Sequence, residues 1–142
     1  MFKVVTLDNG IKVATEEMDA IRSVSFGIWV KNGSRDETPD DNGISHFIEH
    51  MMFKGTDSRS AKDIADEMDA IGGQVNAYTT KEYTCYYTRT LDAHLYIALD
   101  VLSDMFLRSR FDEAEIKKEC NVILEEIDMY EDTPEDMVHD LL

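Results

Sequence analysis

Cysteine is scarce in this sequence, and the two that occur, Cys85 and Cys120, form no Cys-x-x-Cys pair. Their spacing excludes a disulfide framework and a zinc knuckle built from thiolates. Long apolar runs are missing too, since no stretch approaches the roughly 18 residues that a membrane-spanning helix needs. The N-terminus lacks the basic start, apolar run and cleavage site of a signal peptide, and the Arg-rich pattern of a transit peptide. These absences predict a cytoplasmic protein without a membrane partner.

Basic residues are also few: 14 Lys and Arg stand against 30 Asp and Glu, for a net charge of −16. Such a field repels nucleic acid and attracts basic ligands, so we expect no nucleic-acid partner. An acidic surface that only maintains solubility is the alternative. With 2 Pro, 7 Gly and 43% apolar residues, this chain of 142 residues is expected to form one globular domain.

Alternation of apolar residues predicts five β-strands. The Asn9-Gly10 turn separates the first two as a hairpin, and Tyr, Thr and Val are frequent in the last two. The predicted strands cover residues 3–7, 11–16, 21–30, 74–79 and 83–90.

Capping signals and residue spacing predict four helices and the start of a fifth. One covers about 44–53, and the next begins at Ser60, where Asp63 completes a capping box, and stops at Gly72-Gly73. The others run from an Asp92 N-cap to about Arg108, from an Asp112 N-cap to about Glu131, and a further one starts within TPEDMVHDLL (133–142). A mixed or antiparallel sheet with helices packed on one side is an α+β fold.

The segment His46-Phe47-Ile48-Glu49-His50 is the main chemical feature. Residues four apart share one face of a helix, so the two imidazoles can converge on one metal. His-x-x-Glu-His is the inverse of the His-Glu-x-x-His zinc peptidase motif. Zinc with three protein ligands keeps a position for water, and a nearby carboxylate such as Glu49 can accept the water's proton. A helix that merely exposes two histidines is the alternative, and a third ligand is required.

The last predicted helix offers that ligand. At about 100° per residue, its predicted apolar stripe consists of Ile116, Cys120, Ile123, Ile127 and Tyr130. Glu119 and Glu126 lie on the border of this stripe, whereas Glu125 points to solvent. Two stacked carboxylates beside a buried surface are costly unless a cation compensates them. A divalent metal would do so; the alternative is two border glutamates that reach solvent.

These residues resemble a known family. Residues 43–56 (GISHFIEHMMFKGT) resemble the signature of the pitrilysin and mitochondrial processing peptidase family of inverted-motif zinc metallopeptidases. The resemblance continues through residues 72–87 and 113–136 and is strongest to the processing-peptidase branch.

The resemblance implies a zinc-dependent endopeptidase that cleaves unfolded or short peptides. His46 and His50 would be Zn²⁺ ligands with Glu126 as the third, and Glu49 would be the general base. Glu119 would support the site by orienting a histidine. Helical phase independently favours Glu126 over its neighbour as the third ligand.

The resemblance also implies where the substrate binds and what completes the enzyme. Asn76 and Ala77 match the edge-strand segment to which substrate backbone adds as a further strand. The tyrosines nearby and Thr79 are interpreted as strand packing, and His94 and His139 as surface residues. Family members are several times longer, so residues 1–142 are expected to be the N-terminal zinc-binding region, completed by a C-terminal half or a partner chain in a dimer or larger assembly.

Two other functions remain open at this point. A non-catalytic partner subunit of such a peptidase is one, although such homologues usually lose a ligand or the base. A homoserine-lyase-like enzyme shares a His-x-x-Glu-His helix but takes a cysteine as its third ligand, and Cys120 would be the candidate.

Overall fold

The computed structural model describes residues 1–134 and 138, within which nine helices and strands are distinguished. In chain order they are β1 (Phe2–Thr6), β2 (Lys12–Glu16), β3 (Ser23–Val30), α1 (Ile44–Met51), α2 (Ala61–Ala70), β4 (Gln74–Thr79), β5 (Thr84–Leu91), α3 (Leu95–Arg108) and α4 (Glu113–Glu131). Two short 3₁₀ turns, Ser34–Asp36 and Asp92–His94, precede α1 and α3. Most of the helix predicted over 133–142 lies outside the described residues.

All described strands are antiparallel. β1 and β2 form a two-stranded hairpin, and the second sheet has the order β3-β5-β4. Tyr86 in the central strand β5 lies opposite Ile28 on one side and Ala77 on the other. In the described part of the chain β4 pairs with β5 alone, so it is an edge strand.

The core lies on one face of the three-stranded sheet. Side chains alternate along each strand, so Phe26, Ile28 and Val30 of β3 face α1 and α3, whereas Trp29 on the opposite face is 64% exposed. One core cluster joins the sheet to Met52 and Leu102, and a second lies between α2 and α3. The predicted α+β fold, with an antiparallel sheet covered by helices, is confirmed.

The predicted start of α2 is confirmed and that of α3 is wrong. Ser60 caps α2, its hydroxyl accepting from the Asp63 N–H while the Asp63 carboxylate accepts from the Ser60 N–H. Asp92, expected to cap α3, lies in the 3₁₀ turn before it, and its carboxylate instead accepts hydrogen bonds from Arg22 (2.8 Å) and from the Ala93 N–H. An ion pair spanning 70 residues has replaced the local cap.

The apolar stripe predicted for α4 is largely wrong. Asp112 caps this helix as predicted. However, its buried residue is Glu119, at 3% exposure, while Cys120 is exposed and Ile127 is 48% exposed. The face of α4 that meets α1 thus carries the Glu119 carboxylate. Its burial is possible because His50 of α1 and Lys54 just after α1 bind it. No helix in the described part of the chain has the length and apolarity needed to cross a membrane.

Candidate metal centre

The helix α1 begins at a left-handed glycine. Gly43 has φ of +89°, a conformation that favours glycine. The Glu37 carboxylate accepts from the N–H groups of Gly43 (2.7 Å) and Ser45 (2.8 Å), which satisfies two of the free donors at the start of the helix. Burial raises the pKa of Glu37, but these hydrogen bonds outweigh it and leave the pKa below its ordinary value. Glu37 thus fixes the helix on which the histidines lie.

His46 and His50 lie one turn apart on α1, with their Nε2 atoms 3.1 Å from each other. Glu126 of α4 approaches both: its Oε2 is 3.6 Å from His50 Nε2 and 4.0 Å from His46 Nε2. Among the described residues these three form the one His/Cys/Asp/Glu group with ligand atoms close enough to hold a metal ion. The structure thus brings together the three predicted ligands.

The geometry of this group fits zinc. Ligand atoms about 2.0–2.1 Å from a tetrahedral zinc lie about 3.3–3.4 Å from one another, and the three observed separations of 3.1, 3.6 and 4.0 Å span that value. Two imidazoles and a carboxylate are a usual donor set for zinc with an open position. The side chains of His46 (41% exposed) and Glu126 (56% exposed) leave that position accessible.

Glu119 lies behind His50. Its Oε1 is 2.8 Å from His50 Nδ1, and its Oε2 accepts from the Lys54 ammonium at 2.5 Å. Burial raises the pKa of Glu119, but the bonds from Lys54 and His50 outweigh it and hold the pKa below its ordinary value. A carboxylate at Nδ1 makes that nitrogen the donor, which leaves the Nε2 lone pair free for a metal.

Glu49 is half-buried on α1 beside the end of β4. Its Oε2 accepts a hydrogen bond of 2.5 Å from the Thr79 hydroxyl, which also lies 3.2 Å from the Thr84 hydroxyl. Burial and the nearby Glu49 charge raise the pKa of Tyr86 to about 12. Tyr86 packs in the core, whereas Thr79, interpreted from the sequence as packing, contacts the candidate base. The sequence offered one signal for this contact: Thr79 lies two residues after Ala77, on the same face of the predicted strand.

Asn76 and Ala77 lie on the edge strand, three and two residues before Thr79. Asn76 is exposed, whereas Ala77 packs against the core on the α1 side of the sheet. The Ala77 N–H donates to the Asn76 side-chain oxygen at 2.8 Å. The strand that ends at the Glu49 contact thus has one unpaired edge in the described structure, as β3 does on the other side of the sheet.

The other sequence candidates lie apart from the three converging ligands. Glu125 and Cys120 are exposed, and Cys120 is not part of the converging group. His94 is half-buried in the turn before α3, and His139 lies outside the described residues. Sequence reasoning missed Lys54, which comes four residues after His50.

Comparisons with known proteins find this chain similar to proteases. An uncharacterised zinc protease of Bacillus subtilis is 60% identical over 100% of this chain, which covers 35% of that protein. The probable mitochondrial-processing peptidase subunit beta of Arabidopsis thaliana is 44% identical over 99% of this chain and 26% of that protein. The crystal structure of a protease from Helicobacter pylori superposes with a TM-score of 0.91 at 28% identity, covering 96% of this chain and 33% of that one.

The matched relatives are considerably longer: this chain spans about a third of the Bacillus protein. The family model described as insulinase, peptidase family M16, matches residues 12–142, which is nearly the whole chain. The match includes both helices that carry the converging ligands. The chain therefore belongs to the insulinase family of peptidases, M16.

Proposed function

We propose that this chain carries the catalytic site of a zinc-dependent endopeptidase that hydrolyses unfolded or short peptides. One observation supports the proposal most: His46, His50 and Glu126, far apart in sequence, present ligand atoms within 4.8 Å of one another. The names of the relatives, which include zinc proteases, support the choice of metal. His46, His50 and Glu126 are thus proposed as the Zn²⁺ ligands.

Each neighbouring residue has a proposed role in the hydrolysis. Zinc, when bound, supplies Lewis-acid chemistry: it polarises a carbonyl and lowers the pKa of water to about 7. Glu49 accepts the proton of the attacking water at a carboxylate oxygen and later returns it to the leaving amine. Thr79 donates a hydrogen bond to Oε2 of Glu49 and is a positioning residue for that carboxylate. Glu119 is a positioning residue that orients His50.

The substrate is proposed to bind as an added strand along β4. An edge strand offers unpaired backbone groups to an extended peptide, so side-chain identity matters less than an unfolded backbone. Asn76 and Ala77 lie on this edge, and Thr79 at its end contacts Glu49. The net charge of −16 favours basic peptides.

The proposed domain assignment is an N-terminal zinc-binding region. This chain matches about a third of the Bacillus subtilis protein, so groups that clamp the substrate are expected from the remainder of such proteins or a partner chain. A non-catalytic subunit is the alternative proposal, but the presence of all three proposed ligands together with Glu49 favours catalysis.

Metal analysis tests the proposal. The purified protein is expected to contain about one zinc per chain, and His50→Ala is expected to remove it. His94→Ala is the matched control, since His94 is also half-buried but lies outside the site. Full zinc retention by the His50→Ala variant would overturn the ligand assignment.

Cobalt substitution separates the peptidase from the lyase-like alternative. A Cys120 ligand would give an intense thiolate-to-metal absorption band, whereas a site with Glu126 would not. We expect no such band, because Cys120 is not part of the converging group.

A further inference from the structure

Lys54 lies in the turn after α1 and contacts the buried carboxylate behind the metal site. Its Nζ is 2.5 Å from Glu119 Oε2, and the side chains of Lys54 and Glu119 are 28% and 4% exposed. The other oxygen of Glu119 bonds His50 Nδ1 at 2.8 Å. Each oxygen of this carboxylate therefore has one partner, and removal of either partner leaves a buried oxygen unsatisfied.

The turn that carries Lys54 is anchored to α3. The Lys54 N–H bonds the Met51 carbonyl at 3.0 Å, and Thr56, two residues on, bridges to Ser109 at the end of α3. The Thr56 hydroxyl donates to the buried Asp104 carboxylate of α3 at 2.6 Å. The turn that carries Lys54 is thus anchored to α3 by contacts that do not involve the side chains of the metal ligands.

Lys54 also balances the charge of the site. The proposed site contains three carboxylates: Glu49, Glu119 and Glu126. In the described part of the chain Lys54 is the one Lys or Arg ion-paired with any of them. If both histidine ligands are neutral, the positive charges of Zn²⁺ and Lys54 together cancel the negative charges of the three carboxylates. Without Lys54, Glu119 would be a buried carboxylate with no cation of its own, which is costly.

We propose that Lys54 is a positioning residue of the metal centre. It holds the Glu119 carboxylate against His50 Nδ1 and so keeps His50 Nε2 directed at the zinc. This inference rests on the proposed zinc site. Lys54 acts through Glu119 and not by contact with substrate or metal.

The test is zinc affinity of the full chain, measured by competition with a chromophoric chelator. Lys54→Met keeps the length of the side chain and removes its charge. Because partners behind a metal ligand commonly contribute 10–100-fold to affinity, the variant is expected to bind zinc about tenfold more weakly. Lys54→Arg is expected to keep most of the affinity. The control is Lys117→Met, which removes an exposed ion pair with Glu113 on α4 and is expected to change nothing.

A double-mutant cycle shows whether Lys54 acts through Glu119. Glu119→Gln alone is expected to weaken zinc binding, and adding Lys54→Met to it is expected to cost less than about twofold more, because the partner is already lost. If Lys54→Met alone does not fold, the double variant, which removes both charges together, is compared with Glu119→Gln alone. Thermal unfolding of the metal-free variants separates lost affinity from lost stability.

The possible failures are distinguishable. Wild-type protein that binds no zinc would contradict the proposed function itself. Wild-type protein that binds zinc, with a Lys54→Met variant of equal affinity, would contradict only the role of Lys54. Equal losses from Lys54→Met in the presence and absence of the Glu119 carboxylate would show that Lys54 acts by another route.

Discussion

Two side chains on different elements meet at the centre of the proposed chemistry: Glu49 of α1 and Thr79 of β4. Glu49→Gln keeps the size of the side chain but removes its ability to accept a proton. The variant is expected to lose at least ~10²-fold in kcat, as is usual for general bases, while retaining zinc and fold. Glu125→Gln, at an exposed position of α4, is the control.

Peptide hydrolysis by full-length protein and metal content of the same preparation are the measurements. Hydrolysis by the Glu49→Gln variant at the wild-type rate would show that Glu49 has a structural role only.

Thr79→Val removes the hydroxyl that bonds Glu49 and preserves the shape of the side chain. Because the Glu49 carboxylate then loses its 2.5 Å contact, kcat is expected to fall by about tenfold, with zinc content unchanged. Thr79→Ser should restore most of the rate, since it returns the donor. A Thr79→Val variant with wild-type kcat would rule out this positioning role.

At the scale of helices and strands, element types could be predicted and the buried face of α4 could not. Strand alternation and the Ser60 cap are local signals, and both were confirmed. The inward face of α4 depends on Lys54 and His50, which bind Glu119 from another part of the chain. Asp92 failed as a cap for the same reason, because Arg22 is distant in sequence. The convergence of the ligands needed the packing of α4 on α1, which helical phase alone does not define.

The edge strand β4 gives a prediction about substrate. Proline at position 77 removes the backbone donor that now bonds Asn76 and that an added peptide strand would use. Ala77→Pro is therefore expected to weaken binding of an extended peptide, measured with the Glu49→Gln background to prevent cleavage. Gln74→Ala, an exposed change on the same strand, is the control. Unchanged peptide affinity in the Ala77→Pro variant would place the substrate elsewhere.

Asp104 connects α3 to the turn after α1, and its loss should be costly. Its side chain is 2% exposed, and its carboxylate accepts from Thr56 and Arg59. Asp104→Asn is expected to lower the free energy of unfolding by about 3 kcal/mol, as is typical when a buried ion pair is broken. Chemical denaturation measures this.

The pH dependence of that difference has a defined sign. Burial raises the pKa of the Asp104 carboxyl, but hydrogen bonds from Thr56 and Arg59 outweigh it and hold the pKa below its ordinary value. A lowered pKa in the folded state contributes stability above the unfolded value of about 3.9, and this is lost as the pH falls. The difference between wild type and Asp104→Asn should therefore shrink below about pH 4. A difference that grows on acidification would contradict this account.

At the scale of the whole molecule, apolar surface is exposed on both the hairpin and α4. Phe2 (67% exposed) and Val4 (54%) lie on β1, and Leu124 (59%) and Met129 (72%) lie on α4. Exposed apolar patches commonly mark interfaces. The dimer or larger assembly, the basic peptide substrate and the cytoplasmic location remain predictions.

The central claim is that His46, His50 and Glu126 hold one zinc ion. A crystal structure of the zinc-loaded protein, with anomalous data collected at the zinc edge, tests it most directly. We expect one anomalous peak about 2.0–2.2 Å from both His Nε2 atoms and a Glu126 oxygen, with Glu119 still at His50 Nδ1. A zinc peak bound by Cys120, or a peak away from these three side chains, would contradict the account.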